Sequence, residues 1–89
     1  MKQALAITIS GRVQNVGFRF STVQKAEDLH INGFVQNKSD GTVYIEAEGN
    51  ADNLNNFVEW CKKGPPAAKV ENIEKQEIPT QDFSDFNVK

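Results

Sequence analysis

The chain has 89 residues, of which 38% are hydrophobic and 25% are charged, and its formal net charge is −2. This length allows one domain with one core, which we expect to span residues 1–89, and the composition excludes a disordered or membrane-spanning chain. The small negative charge gives no long-range field that would attract nucleic acid or anionic lipid, so any anion must bind at a local site.

The first third of the chain reads as a strand followed by a helix. Alternating apolar residues predict a strand over about Lys2–Ser10. After a stretch with two glycines, a spacing of three among apolar residues predicts a helix: Phe20, Val23, Ala26 and Leu29. His30 is expected at the end of this helix, with Asn32 or Gly33 in the left-handed turn that closes it.

The remainder of the chain reads as a hairpin, a helix and two further strands. Asp40-Gly41 lies between two strand-like runs, which is a strong hairpin signal. Asn50 is suited to cap a second helix over about Ala51–Lys63, and Cys61 falls on its apolar stripe. The predicted fourth strand faces solvent, and a short strand ends the chain; their apolar residues are Val70, Ile73 and Ile78, and then Phe83, Phe86 and Val88.

This order of elements, β-α-β-β-α-β, predicts an α+β fold of the ferredoxin-like type. With right-handed crossovers, both helices lie on one face of an antiparallel sheet. The first and third strands are then neighbours at the centre of the sheet. Because this fold serves many unrelated functions, the function has to come from the site.

The segment Gly11–Arg19 leaves a strand and enters a helix, which is where an anion can bind. The first N–H groups of a helix have no partner within it, and the helix dipole is positive at that end. Arg19 falls in the first helical turn, where a cation opposes the dipole unless an anion offsets it. A surface arginine beside a tight turn is the alternative interpretation.

Asn37 ends the second predicted strand, just before the turn. An asparagine at such a position commonly bonds its own turn backbone. Periodicity alone does not place Asn37 beside Arg19, so a structural and a functional interpretation both stand at this point.

The other residues capable of chemistry indicate ordinary structural roles. His30, the only histidine, has no cysteine or histidine at metal-binding spacing, so we expect no metal site. Cys61 is expected in the core, and Trp60 at its edge. Acidic residues are expected mostly on solvated faces: Asp40, Glu46, Glu48, Asp52 and Glu59.

Two stretches of the sequence resemble the signatures of the acylphosphatase family. Gly11–Arg19 (GRVQNVGFR) resembles the first signature, and Gly33–Val43 (GFVQNKSDGTV), followed by Gly49, resembles the second. The likeness extends over essentially the whole chain. It implies hydrolysis of carboxylic–phosphoric mixed anhydrides without a cofactor.

The resemblance also implies roles for individual residues. Arg19 and the loop amides would bind phosphate, and Asn37 would position the attacking water. The substrate-binding residues of the loop are Gln14, Asn15, Val16, Gly17, Phe18 and Arg19. Asn15 departs from the family, which usually has glycine there, and this predicts a positive φ, tolerated best by glycine and next by asparagine.

Partners and location are expected to be simple. The apolar start of the chain is too short for a signal peptide, so we expect a cytoplasmic monomer that acts on a small acyl phosphate, without a nucleic-acid or membrane partner. The alternative is a non-catalytic ferredoxin-like module that binds a small anion or RNA. The basic-aromatic string of RNA-binding sheets is missing, although Phe34 and Tyr44 lie on the hairpin.

Overall fold

The computed structural model describes all 89 residues and confirms the predicted ferredoxin-like order of elements. A five-stranded sheet has the order β4-β1-β3-β2-β5, so the first and third strands are central, as predicted. Neither helix has the length and apolar character needed to cross a bilayer. The elements are β1 Lys2–Arg12, α1 Phe18–Asp28, β2 Asn32–Asn37, β3 Val43–Asn50, α2 Ala51–Cys61, β4 Lys69–Ile78 and β5 Phe86–Val88.

The last strand corrects the prediction of a purely antiparallel sheet. β5 pairs with β2 in parallel, with Gly33 opposite Phe86 and Val35 opposite Val88, and every other pairing is antiparallel. β4 lies at one edge of the sheet and β5 at the other. The chain therefore crosses the sheet after Ile78 before it pairs with the far edge.

The core lies between the sheet and the two helices. Alternate residues of the central strands and one side of each helix form a single buried cluster, so both helices lie on the same face, as predicted. Its members from these elements include Ile7, Ile9, Val43, Ile45, Ala26, Leu54 and Phe57. Cys61 is fully buried in the cluster, which confirms its predicted place in the core, and this burial raises the pKa of its thiol.

Element boundaries differ from the predicted ones for identifiable reasons. β1 continues past a bulge at Ser10/Gly11 to Arg12, because Gly11, at φ 122°, allows close approach to β4. α1 ends at Asp28, and the left-handed residue is His30 (φ 57°) rather than Asn32 or Gly33. The N–H of Ile31 donates to the Ala26 carbonyl at 2.8 Å, which is the closing bond of a Schellman motif.

α2 begins as predicted and ends slightly earlier. The Asn50 side chain accepts from the Asn53 N–H at 2.9 Å, which confirms the predicted N-cap. The helix ends at Cys61 rather than Lys63, and the chain then turns through Gly64. Trp60 is partly buried against the core, with its ring centroid 5.6 Å from that of Phe18, so its predicted place at the core edge is confirmed.

Glu48 is buried, which contradicts its predicted place on a solvated face. Its register opposite Ala4 puts it on the sheet face away from the helices, where it is only 2% exposed. The segment after β4 covers it, and three backbone N–H groups donate to its carboxylate: those of Gln81 at 2.6 Å, Asp82 at 3.2 Å and Phe83 at 3.1 Å. Lys2 adds an ion pair at 3.6 Å. This carboxylate therefore fixes the segment that leads to β5.

We expect Glu48→Gln to lower the free energy of unfolding by about 1–3 kcal/mol, the cost of leaving buried donors without a charged acceptor. The amide keeps the shape of the side chain but turns an N–H₂ group toward a backbone N–H. Urea unfolding followed by circular dichroism measures the change. Glu77→Gln, at an exposed position of β4, serves as the control and should leave the midpoint unchanged. An unchanged midpoint for Glu48→Gln would contradict this role.

Candidate active site

The β1–α1 loop, residues 13–17, has the backbone form of an anion-binding nest. Asn15 has φ 62° and Gly17 has φ 78°, while Val16 between them has no positive φ. Alternation of this kind turns successive N–H groups toward one concavity. The positive φ predicted at Asn15 is confirmed. At Gly17, nothing lies within 4 Å of the position that a Cβ would occupy, so glycine is needed for its dihedral rather than for space.

The N–H groups of this loop are available to a ligand. No backbone carbonyl of the chain accepts a hydrogen bond from residues 13–17. The first bond of α1 runs from the Ser21 N–H to the Gly17 carbonyl at 3.1 Å, and Gly17 caps the helix without a side-chain bond. Such unpaired donors at a helix start suit an oxyanion.

Arg19 lies in the first turn of α1, as predicted, and its charge is not compensated within the chain. No ion pair or hydrogen bond involves its side chain, and the first turn carries no acidic residue. A cation at a helix N-terminus is unfavourable by itself. Together with the loop N–H groups, the exposed guanidinium favours an anion here.

Asn37 does not bond its own turn. Its side-chain oxygen is buried and has no hydrogen-bond partner. The turn is closed instead by Asp40, whose carboxylate accepts from the Thr42 hydroxyl at 2.7 Å and from the Thr42 N–H at 3.0 Å. These two bonds lower the pKa of Asp40. The structural interpretation of Asn37 is therefore wrong, and its amide oxygen has no partner within the chain.

One pocket of about 540 Å³ brings the loop, Arg19 and Asn37 together. This proximity results from topology: β2 ends beside the start of α1, and Asn37 faces the helices because it pairs with buried Val43. The lining residues are Val13, Asn15, Gly17, Phe18, Arg19, Phe20, Val23, Asn37, Phe86, Asn87 and Val88. Of the six predicted site residues other than Asn37, four line the pocket: Asn15, Gly17, Phe18 and Arg19.

Gln14 and Val16 do not line the pocket. Gln14 Nε2 donates to the carbonyls of Lys38 at 2.8 Å and Thr42 at 2.9 Å, and so ties the β1–α1 loop to the β2–β3 turn. Val16 is partly buried against the core. Only the backbone N–H groups of these two residues are left for a ligand. The side chain of Gln14 positions the loop relative to the turn that follows Asn37.

The pocket contains one charged side chain, that of Arg19. The other polar side chains lining it are amides, and no carboxylate, histidine or cysteine does so. The chain also has no cluster of three or more histidine, cysteine, aspartate or glutamate residues suited to a metal ion. This arrangement can bind an oxyanion and orient a polar molecule through an amide. It offers no protein group for acid or base catalysis.

A family model described as acylphosphatase matches residues 5–88. The chain belongs to the acylphosphatase family. It is 42% identical over 87 residues to an acylphosphatase of Thermotoga maritima, a match that covers 98% of this chain and 97% of that protein.

Solved structures of family members have the same fold. An acylphosphatase from Coxiella burnetii superposes with a TM-score of 0.96 at 42% identity, covering 99% of this chain and 93% of that one. The acylphosphatase from Bacillus subtilis gives a TM-score of 0.93 at 37% identity, with 99% and 98% covered. The mixed five-stranded sheet with two helices is thus the fold of the family.

Asn15 allows a direct test of the loop backbone. We expect Asn15→Gly to stay within a few-fold of the parent in activity, since both residues tolerate the observed φ of 62°. Asn15→Val should weaken phosphate binding, because a β-branched residue at positive φ is strained by roughly 1–3 kcal/mol. Steady-state kinetics and phosphate inhibition constants for both variants measure the difference. A valine variant that matched the parent would show that the loop does not need a left-handed residue at this position.

Proposed function

We propose that this protein is an acylphosphatase that converts an acyl phosphate and water into a carboxylate and inorganic phosphate. The observation that carries the proposal is one pocket in which unpaired loop N–H groups and Arg19 lie with the partnerless amide oxygen of Asn37. Family membership gives independent support.

Arg19 and the loop N–H groups bind the phosphoryl group in this proposal. Phosphoryl transfer requires in-line positioning and stabilisation of charge on the equatorial oxygens, with little covalent work for the protein. A guanidinium provides a planar set of donors that matches phosphate oxygens, and the loop amides add donors whose positions are already fixed. Both needs are met without a metal ion.

Asn37 positions the attacking water. Its side-chain amide, which lines the pocket, forms a hydrogen bond with the water, and this directs an oxygen lone pair at phosphorus. The new bond joins water oxygen to phosphorus, the bond from phosphorus to the acyl oxygen breaks, and the electron pair leaves with the carboxylate. The proton lost by water passes to a phosphate oxygen of the substrate. The lack of a base in the pocket is compatible with this route.

The leaving group of an acyl phosphate explains why the pocket needs no general acid. A carboxylic acid has a pKa of about 4, so a carboxylate departs without protonation. The alkoxide of a phosphate ester needs a proton donor or a metal ion to leave. A site whose one charged group is an arginine therefore favours acyl phosphates over phosphate esters.

The RNA-binding alternative is weakened by the hairpin aromatics. Phe34 is 8% exposed. Its ring centroid lies 6.0 Å from that of Phe83 and 4.1 Å from Lys89 Nζ. Tyr44 donates to the Glu46 carboxylate at 2.7 Å, which places an acid beside the second ring. RNA-binding sheets stack bases on exposed rings, whereas here Phe34 is buried and the Tyr44 hydroxyl is bonded to a carboxylate.

Ultraviolet assay of benzoyl phosphate hydrolysis, with EDTA present, tests the proposal. We expect turnover that EDTA does not reduce, and competitive inhibition by inorganic phosphate, which resembles the group bound by the loop. Phenyl phosphate, an ester of similar size, is the control and should not be hydrolysed. Phosphate binding without turnover of benzoyl phosphate would favour the non-catalytic module, and loss of activity in EDTA would contradict a metal-independent site.

The proposal includes a monomeric, cytoplasmic enzyme that acts on a small molecule without nucleic acid. Arg19, the loop N–H groups and Asn37 all belong to one copy of the chain, so the proposed reaction needs no residue from a second copy. Sedimentation at micromolar concentration, with benzoyl phosphate turnover measured per chain across a dilution series, checks the oligomeric state.

A further inference from the structure

The pocket continues beyond the anion-binding residues into an apolar wall formed by Phe20, Val23, Phe86 and Val88. We propose that this wall binds the acyl group of the substrate and makes the enzyme selective for acyl phosphates with an uncharged, apolar acyl chain. This inference rests on the proposed function and adds the substrate class.

Exposure singles out two residues of the wall. Phe20 is 67% exposed and Val88 is 49% exposed; apart from Met1, no other large hydrophobic residue of the chain is exposed. Both line the same pocket. Apolar side chains left in water at one place indicate a surface that a ligand covers.

The apolar wall adjoins the predicted phosphate position. Phe20 follows Arg19 directly in the first turn of α1, and both are exposed, whereas Phe18 packs into the core. Val88 comes from β5, which contacts α1. In an acyl phosphate one oxygen atom joins the acyl carbon to phosphorus, so the acyl group must lie next to the bound phosphoryl group. A volume of about 540 Å³ exceeds what a phosphoryl group fills and lies within the roughly 300–1,000 Å³ typical of ligand pockets.

Charge limits the kind of acyl group. Arg19, assigned to phosphate, is the one charged side chain lining the pocket, so a second carboxylate on the acyl chain would find no cation there. Bringing that carboxylate against Phe20 and Val88 would remove water from it without compensation. An alkyl or aryl chain instead gains by covering these side chains.

A series of alkanoyl phosphates tests the inference. Acetyl, butanoyl and hexanoyl phosphate release carboxylates whose conjugate acids have similar pKa values. A trend in kcat/KM across the series therefore reports contact between the enzyme and the alkyl chain of the substrate. We expect kcat/KM to rise about tenfold from acetyl to hexanoyl phosphate. Succinyl phosphate, with the four-carbon chain of butanoyl phosphate and one more carboxylate, should be a poorer substrate than butanoyl phosphate by a similar factor.

Variants of Phe20 assign the trend to the apolar wall. Phe20→Ser should reduce the hexanoyl-to-acetyl ratio of kcat/KM about fivefold, and Phe20→Leu should restore most of it. Val88→Ser should reduce the ratio through the other side of the pocket. Gln24→Ala is the control, because Gln24 is exposed on the same helix and does not line the pocket. Circular dichroism confirms that each variant folds.

The outcomes separate this inference from the proposed function. Hydrolysis of every alkanoyl phosphate at the same kcat/KM would overturn the acyl-binding wall and leave the acylphosphatase activity standing. An equal loss of kcat/KM toward acetyl and hexanoyl phosphate in Phe20→Ser would also overturn it. Phe20 would then affect the phosphate-binding loop rather than contact the acyl chain of the substrate. Failure to hydrolyse any acyl phosphate would overturn both.

Discussion

Replacing Arg19 by alanine is expected to lower kcat for benzoyl phosphate by about 100-fold or more and to weaken competitive inhibition by inorganic phosphate. Loss of one preorganised contact to the transition state costs roughly this factor. Both effects are expected together because the guanidinium contacts oxygens that the substrate, the transition state and free phosphate share. Initial rates and phosphate inhibition constants measure them.

The chain offers a matched control for this substitution. Arg12 is the other arginine; it is exposed at the end of β1 and does not line the pocket, so Arg12→Ala should leave kcat and phosphate inhibition unchanged. Arg19→Lys should recover part of the phosphate affinity, since an ammonium keeps the charge but loses the planar set of donors. If Arg19→Ala retained activity within a few-fold, the assignment of Arg19 to phosphate would be wrong.

The helices and the antiparallel strands of the fold follow from local sequence patterns. Alternation in β1, the Asp-Gly turn between β2 and β3, and the Asn50 cap each specify an element through contacts within a few residues. The parallel pairing of β5 does not follow from such patterns. The segment that leads to β5 is bound by Glu48, whose three N–H donors come from residues more than thirty positions later in the chain. A single glutamate in a strand is indistinguishable by periodicity from one that faces water.

The candidate site, too, is predictable from local sequence only in part. The helix dipole makes a cation at Arg19 conspicuous from the sequence alone, and the unpaired loop donors follow from the helix start. Proximity of Asn37 to that loop is a tertiary property, set by β2 ending beside α1. The two bonds of Gln14 to the β2–β3 turn are likewise invisible to spacing, although the resemblance assigns the whole loop to substrate.

Phe20 shows where a periodic pattern misleads. It shares the spacing of three with Val23, Ala26 and Leu29, from which the helix is predicted, and such a run of apolar residues suggests one buried side. The buried side of α1 is instead formed by Phe18, Thr22 and Ala26, and Phe20 lies largely in solvent. Because three residues correspond to less than one helical turn, a run at constant spacing of three drifts around the helix and leaves the core at one end. That end is the one beside the pocket.

Replacing Asn37 by alanine is expected to lower kcat by about 100-fold or more without weakening inhibition by inorganic phosphate. Water positioning contributes after the substrate is bound, so its loss appears in kcat rather than in phosphate affinity. Stability should not fall, because the substitution removes a buried oxygen that has no hydrogen-bond partner. Steady-state kinetics, phosphate inhibition constants and urea unfolding measure the three quantities.

Two further variants separate water positioning from other roles of Asn37. Asn87→Ala removes another amide that lines the pocket, one whose Nδ2 already donates to Asp85 at 2.7 Å, and should stay within a few-fold of the parent. Asn37→Asp keeps an acceptor for water but adds a negative charge near phosphate, so it should weaken phosphate inhibition where Asn37→Ala does not. Equal loss of phosphate affinity in Asn37→Ala and Arg19→Ala would instead assign both residues to phosphate, and another group would have to direct the water.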